Sequence, residues 1–174
     1  MIKPIQTQRL KLILLSLEQL QLLLTDLHRL EDELGFAIDE DNTNETVLRA
    51  INIKISKMTH LDPVQHPWLT YWLIVIADKS LGAGLAGFKG VPDENGETEI
   101  GYGISPAVRS NGYMTEAVQA LITWGFEHYQ CRTVVAHKVL RSNIASQRVL
   151  EKVGMHIYQE TADTLSWRID KIAK

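Results

Sequence analysis

The chain has 174 residues, 45% apolar and 22% charged, with 18 Lys and Arg against 21 Asp and Glu for a formal charge of -3. That balance excludes disorder through low hydrophobicity and any general attraction for nucleic acid or anionic lipid, so neither direct nucleic-acid binding nor membrane association is expected. The length suits one domain that buries its core without disulfides or metal staples, and a lone cysteine, Cys131, excludes an internal disulfide and a cysteine metal cluster.

The opening "IQTQRLKLILLS" alternates apolar and polar residues and predicts a first strand ending near Ser16. No charged segment precedes a signal-peptide core, and the Leu-rich stretch from Leu10 to Leu24 is broken by Lys11, Ser16, Glu18, Gln19 and Gln21. Neither export nor a membrane span is expected, and a cytoplasmic setting is the default. At Ser16 the period changes. Ser16 and Gln19 spell a capping box, Leu17, Leu20, Leu24, Leu27 and Leu34 recur near helical spacing, and Gly35 is a stop, predicting helical turns on either side of Thr25. Packing onto its own sheet is the default for that Leu-rich face; covering it with a second copy would make a homodimer.

"DEDNTNETVLRAINIKISKM" opens with capping and acidic residues, then spaces Val47, Leu48, Ile51, Ile55 and Met58 as a second amphipathic helix. The run Asp39 to Asp41 reads as a solvated loop or, more sharply, as a lid over a substrate cleft. Next, "TYWLIVIADKSLGAGLAGFKG" and "ETEIGYGI" predict three strands of an antiparallel meander, divided at Asp78-Lys79-Ser80 and at the turn from Pro92 to Gly96. "NGYMTEAVQALITWGFEHY" places Met114, Ala117, Val118, Leu121, Ile122 and Phe126 on one helical face. The strand "RTVVAHKV" follows, so a parallel crossover is expected. "SNIASQRVLEKVGM" predicts a helix stopped at Gly154, and "MHIYQE" with "TLSWRIDK" a closing hairpin.

Between the meander and the crossover helix lies "VRSNGYMTEA", residues 108 to 117. An Asn-Gly pair between apolar runs is ordinarily a hairpin signal. Here the apolar spacing after Met114 is helical, so Arg109 to Tyr113 delivers a strand into a helix N-terminus. Unpaired N–H groups and the positive end of the dipole favour an anion there, Gly112 leaves room for close approach, and Arg109 adds a charged donor. The alternative is a structural loop. The stretch has neither the Lys-Ser/Thr ending of an ATP-binding loop nor the three-glycine dinucleotide fingerprint.

"IGYGISPAVRSNGYMTEA" followed by "NIASQRVLEKVGM", with "TQRLKL" near the start, resembles the GNAT superfamily of acetyl-CoA dependent N-acetyltransferases, particularly its bacterial branch that acetylates ribosomal-protein N-termini. The likeness runs over most of residues 5 to 172, with its specific motifs in residues 97 to 155. Arg109 and Gly112 match the family loop, whereas Met114 stands where the family has a small residue. The resemblance implies an α/β (α+β) fold, a single N-acetyltransferase domain over 1–174 with a mixed, mostly antiparallel central sheet flanked by helices and splayed strands forming the acetyl-CoA cleft. It implies that acetyl-CoA is a cosubstrate, with no metal. The backbone of Ser110, Asn111, Gly112, Tyr113, Met114 and Thr115 would hold the pyrophosphate, Arg109 would stand at the loop entrance, and Ile104 and Asn143 would meet the pantetheine arm. Ser146, on the helix near the thioester sulfur, would be the acid for the departing thiolate; Asn143 or Ser142 as a plain helix cap is the competing reading.

Strand alternation in "ETEIGYGI" sets Glu99 beside Gly101 and Gly103, an open track next to a carboxylate. Glu99 is therefore the candidate base for the acceptor amine, against the reading of a solvated carboxylate. The implied reaction is direct attack by a primary amine, of a protein N-terminus or a small molecule. An α-amine, with a reference pKa of about 7.7 to 8 against about 10.4 for Lys, needs less help. A noncatalytic acyl-CoA-binding sensor on the same fold is the alternative function. Other residues weigh less: Cys131 as a nucleophile, His60 and His66 as metal ligands and His137 as a base all yield to packing or solvated roles. Trp68, Tyr71 and Trp72 suit a core better than an acceptor pocket, and Arg141, Arg148 and Lys152 cluster where they could meet the adenosine 3'-phosphate.

Overall fold

In the computed structural model, which describes residues 2–43 and 45–172, the Ser16 hydroxyl accepts from the Gln19 N–H at 3.1 Å and the Gln19 side chain accepts from the Ser16 N–H at 3.0 Å. This capping box starts α1 (Leu17–Thr25). The Asp26 carboxylate breaks the run and caps α2 (Leu27–Leu34) by accepting from the Arg29 N–H, and Gly35 ends it at φ 80°. The expected single opening strand is instead a hairpin of β1 (Ile5–Gln6) and β2 (Leu10–Leu14), turned where the Thr7 N–H donates to the Leu10 carbonyl at 3.0 Å. Its polar turn residues Thr7 and Arg9 are drawn to Glu116 instead of continuing the ladder.

Short β3 (Ala37–Ile38) lies parallel to the later strand β5 (Leu81–Phe88), and the Asp39 N–H continues that attachment to the Gly82 carbonyl at 2.8 Å. The acidic run is thus tied to the sheet at its start and coils into a 3-10 turn from Glu40. The second amphipathic helix is α3 (Glu45–His60); Asn44 lies outside the described residues. Ile51 and Met58 are buried as the spacing requires, and Lys54 is buried with them at 6% exposure. Its ammonium donates to the carbonyls of Leu69 (3.1 Å), Thr70 (3.1 Å) and Phe88 (2.6 Å) and sits 4.3 Å from the Tyr71 ring centre. Three donors meet three acceptors, so a lysine occupies an apolar interface with its polar atoms satisfied.

After the one-turn α4 (His66–Leu69), strands β4 (Trp72–Ile76), β5 (Leu81–Phe88) and β6 (Glu97–Ile104) form the expected antiparallel meander. Helix α5 (Tyr113–Glu127) crosses to β7 (Thr133–Leu140), parallel to β6, and α6 (Ile144–Lys152) leads to the hairpin of β8 (His156–Glu160) and β9 (Thr164–Asp170). The sheet runs β1-β2-β4-β5-β6-β7-β9-β8, mixed and mostly antiparallel. Alternation divides its side chains between two cores: Trp72, Ile74, Phe88 and Ile100 join α5, while Leu73, Val75 and Leu85 join α1 and α3. Trp68 and Trp72 belong to the first core, with Trp68 4.9 Å from Phe88 and Trp72 5.4 Å from Trp124 between ring centres, which is the packing reading of those aromatics.

One pairing is short. β6 and β7 share a ladder only from Glu97↔Thr133 to Glu99↔Val135, although β6 continues to Ile104 and β7 to Leu140. β7 turns away through a register break between Ala136 and Val139, with Lys138 at φ 51°. The two strands splay as expected.

Burial pushes the Lys54 ammonium down to about 7, with the charges of Lys57 and Lys89 acting in the same direction. From there up to its ordinary value of 10.5 the unfolded chain holds the proton better, so the Lys54 contribution to stability rises with pH across that window. Urea unfolding of wild type and Lys54→Met from about pH 7 to about pH 10 should show the difference shifting toward wild type as pH rises. A difference that ignores pH would mean that the three carbonyls keep the ammonium charged throughout.

Candidate active site

Beyond the splay, the Ser105 N–H donates to the Ala83 carbonyl at 2.8 Å and the chain makes a 3-10 turn over Pro106–Val108. Asn111 then braces the loop from within, its Nδ2 donating to the carbonyls of Val108 and Arg109 at 3.0 Å each. Ser110 adopts φ 64° and Gly112 φ 79°, so the backbone passes twice through left-handed geometry before α5 begins. A side chain at Gly112 would be strained by that angle, and its Cβ would lie 3.4 Å from Arg9 Nη2. No side chain caps the first turn of α5, which leaves its leading N–H groups facing outward as a seat for an anion. Met114 turns its side chain into the core at 7% exposure, so the larger residue at the family's small position does not fill the seat.

What holds this loop lies at the other end of the sequence. Glu116, in the first turn of α5, accepts from the Thr7 hydroxyl (2.6 Å), the Arg9 N–H (2.8 Å) and Arg9 Nε (2.7 Å), and its Oε2 forms an ion pair with Arg9 Nη2 at 2.7 Å. Arg9 also donates to the Asn111 carbonyl at 2.9 Å and stacks 4.8 Å from the Tyr113 ring centre. Burial works to raise the Glu116 carboxyl, but its bonds to Thr7 and Arg9 and the Arg9 charge hold it below the usual carboxylate range.

The loop forms one wall of a cleft of about 490 Å³, closed by the end of β6 and by α6. Ile104, Arg109, Ser110, Asn111, Gly112, Tyr113, Met114, Thr115, Asn143 and Ser146 all line it, so every nominated residue except Glu99 is brought to one place. Among the described residues the lining contains three cations, Arg109, Arg148 and Lys152, and no carboxylate, within a chain of net charge -3. Arg141 is elsewhere: it pairs with Glu160 at 2.7 Å across the β8–β9 hairpin. Asn143 caps α6, its Oδ1 accepting from the Ser146 N–H at 3.1 Å, while still lining the cleft. The Ser146 hydroxyl meets the Tyr102 hydroxyl at 2.9 Å. Burial pushes the Tyr102 phenol up to about 12, against the opposing effect of its Ser146 bond, so it remains a proton donor. Sequence reading did not nominate Tyr102; the signal was its place opposite Glu99 in the strand alternation, on the face toward α6.

Glu99 stands at the last paired position of the β6–β7 ladder, on the other face of the strand. Its Oε1 accepts from the His137 N–H at 3.3 Å, just where β7 has lost its partner, and contacts Lys89 Nζ at 2.5 Å. His137 is a surface residue there, Nδ1 2.9 Å from the Tyr158 hydroxyl and Nε2 3.7 Å from Glu97. The remaining candidates separate from the cleft. His60 and His66 bind the carbonyls of Ser56 (2.7 Å) and Met58 (2.9 Å), and burial pushes the Cys131 thiol up to about 11, well above a reactive range. A second hollow of about 670 Å³, bordered by Trp68, Asp93 and Arg132, contains none of the nominated residues.

Residues 21–156 match the family model described as an acetyltransferase (GNAT) domain. The chain belongs to the GNAT acetyltransferase family. It is similar to a Bacillus subtilis (strain 168) protein described as the uncharacterized N-acetyltransferase YjdG, 29% identical over 94% of this chain and 95% of that one. In fold it resembles RimL, a ribosomal L7/L12 α-N-protein acetyltransferase solved with coenzyme A, with a TM-score of 0.67 at 17% identity over 97% of this chain and 98% of that chain. It likewise resembles the ribosomal-protein-S5-alanine acetyltransferase of Vibrio fischeri, with a TM-score of 0.67 at 13% identity and 97% coverage of both chains. GNAT acetyltransferases use acetyl-CoA, and the cationic, carboxylate-free cleft with its uncapped helix start fits the phosphates of that molecule.

The Glu116 clamp is testable by itself. Glu116→Ala removes three hydrogen bonds and an ion pair to one largely covered carboxylate and should destabilise the fold by about 1–3 kcal/mol in urea unfolding. An unchanged midpoint would mean that water replaces the clamp.

Proposed function

We propose that this acetyltransferase moves the acetyl group of acetyl-CoA to a primary amine, of a protein N-terminus or a small molecule, by direct attack from the Glu99 face of the sheet. The observation that carries the reading is the fork between β6 and β7: a cationic cleft opens on one face, and a carboxylate stands at its apex on the other. The loop from Ser110 to Thr115, with Arg109, Arg148 and Lys152, holds the phosphates, and the end of β6 near Ile104 with Asn143 receives the pantetheine arm. When bound, acetyl-CoA supplies an activated thioester. Glu99 accepts the amine proton, directly or through water, and the Tyr102–Ser146 hydroxyl pair supplies a proton to the sulfur side. Holding both partners in the fork lowers the entropic part of the barrier. The neighbours named for α-N-protein and S5-alanine acetylation support an α-amine acceptor, which also requires the least deprotonation near neutral pH.

Calorimetric titration with acetyl-CoA, followed by thiol release with a panel of primary amines, tests this reading. Wild type should bind, and Gly112→Glu, which puts a carboxylate into the phosphate seat, should bind at least about tenfold more weakly. Glu99→Gln should keep the acetyl-CoA affinity and lower kcat/KM for the amine by about 10²–10⁴-fold. Binding without any amine-dependent thiol release would instead make the chain an acyl-CoA sensor; unchanged turnover in Glu99→Gln would remove Glu99 as the base.

A further inference from the structure

The carboxylate assigned to the acceptor amine already holds a primary amine from this chain. Lys89 follows β5 directly opposite Glu99, with its N–H donating to the Glu99 carbonyl at 2.8 Å and its own carbonyl accepting from Lys57 Nζ at 2.7 Å. The backbone is therefore fastened on both sides. The side chain lies along the glycine track: its Cε is 3.6 Å from where a Gly101 Cβ would stand, and its Nζ reaches Glu99 Oε1 at 2.5 Å. Beyond it, a Cβ at Gly103 would meet nothing within 4 Å, so the track stays open toward the splayed part of β6. The Lys89 side chain is 57% exposed and Glu99 only 22%, so the contact is an exposed ammonium on a largely covered carboxylate.

We infer that Lys89 is a self-acetylation site: with no other amine in the track, its ε-amine is acetylated by the same chain's Glu99 and bound acetyl-CoA. This rests on the proposed reading of Glu99 and the cleft. The Nζ–C bond forms at the acetyl carbonyl carbon and the C–S bond to coenzyme A breaks. Of the ammonium's three protons, one passes to Glu99, one stays on the amide nitrogen, and the third leaves to solvent, from which the Tyr102–Ser146 pair regains the proton it gives to the departing thiolate. No oxidant or further reactant is needed. The products are Nε-acetyl-Lys89, free coenzyme A and a protonated Glu99 that relaxes to solvent. Acetylation removes the cation that Glu99 holds, so the modified chain presents this carboxylate to incoming amines without an internal competitor.

The test is a time course of the full-length protein with acetyl-CoA and no added amine, read by peptide mass spectrometry at every lysine. Lys89 should gain an acetyl group on the order of 10²-fold faster than exposed Lys3 and Lys79, at a rate independent of protein concentration. Glu99→Gln should bring the Lys89 rate down toward theirs, and Lys89→Arg should leave no fast site. Before acetyl-CoA is added, the Lys89 ammonium signal in nitrogen-15 NMR should move in Glu99→Gln, which reports the contact without any turnover. Lys89 reacting no faster than the exposed lysines, or only between molecules, overturns the inference. If acetyl-CoA binds by calorimetry and added amines are acetylated while Lys89 is spared, the inference fails alone; if acetyl-CoA does not bind, the reading of the cleft fails first.

Discussion

Three ladder positions decide the use of this sheet. β6 and β7 hold each other from Glu97 to Glu99 and then part, while β6 remains fully braced on its other edge by β5 as far as Ile104. A strand with one edge satisfied and the other released is rigid and yet has backbone groups to offer, which suits an extended ligand laid alongside it. The bend in β7 keeps the gap open without a flexible loop, because Lys138 takes up the extra residue in left-handed geometry and the β9 pairing resumes at Val139. Rigidity on both sides makes the separation a fixed property of the fold.

The loop before α5 depends on a second constraint from the opposite end of the sequence. A loop with two consecutive left-handed passages, at Ser110 and Gly112, is not held by its local ladder. Arg9 reaches it from the β1–β2 turn, binding the Asn111 carbonyl, the Tyr113 ring and the Glu116 carboxylate together. This accounts for the hairpin where sequence alternation predicts one strand: Thr7 and Arg9 leave the ladder because Glu116 satisfies their donors. The "TQRL" stretch contributes to the site without lining it.

Much of this was legible in the residues because it depends on local rules. The capping box at Ser16, the glycine stops at Gly35 and Gly154, the meander and the crossover all follow from periods and caps that lie within a few residues of each other. The uncapped start of α5 was legible too, since Gly112 has no side chain with which to close the first turn. What stayed hidden depends on partners distant in sequence. Lys54 looks like a polar interruption on an apolar helix face until the carbonyls of Leu69, Thr70 and Phe88 are placed around it. Tyr102 acquires meaning only from Ser146, and Glu116 only from Thr7 and Arg9, across 44 and more than 100 residues of chain. Conversely, Arg141 looked like part of a basic cluster by proximity in sequence, and the β8–β9 hairpin claims it for Glu160.

The charge distribution gives the fork a further property. The cleft carries Arg109, Arg148 and Lys152 with no lining carboxylate among the described residues, while the opposite lip carries Glu97 and Glu99. An anionic acyl carrier is drawn to the cationic cleft, whereas a cationic amine on the other face has to take Glu99 from the Lys89 ammonium. Their reacting ends come within reach only where the strands part, because elsewhere a hydrogen-bonded sheet lies between them. The same geometry is why Lys89 is the internal amine we infer: it lies on the Glu99 face, beside the apex, with a stem that follows the glycine track. Under the proposed reading, the cationic cleft and the Glu99 carboxylate therefore act from opposite faces of one sheet and share only the fork between β6 and β7.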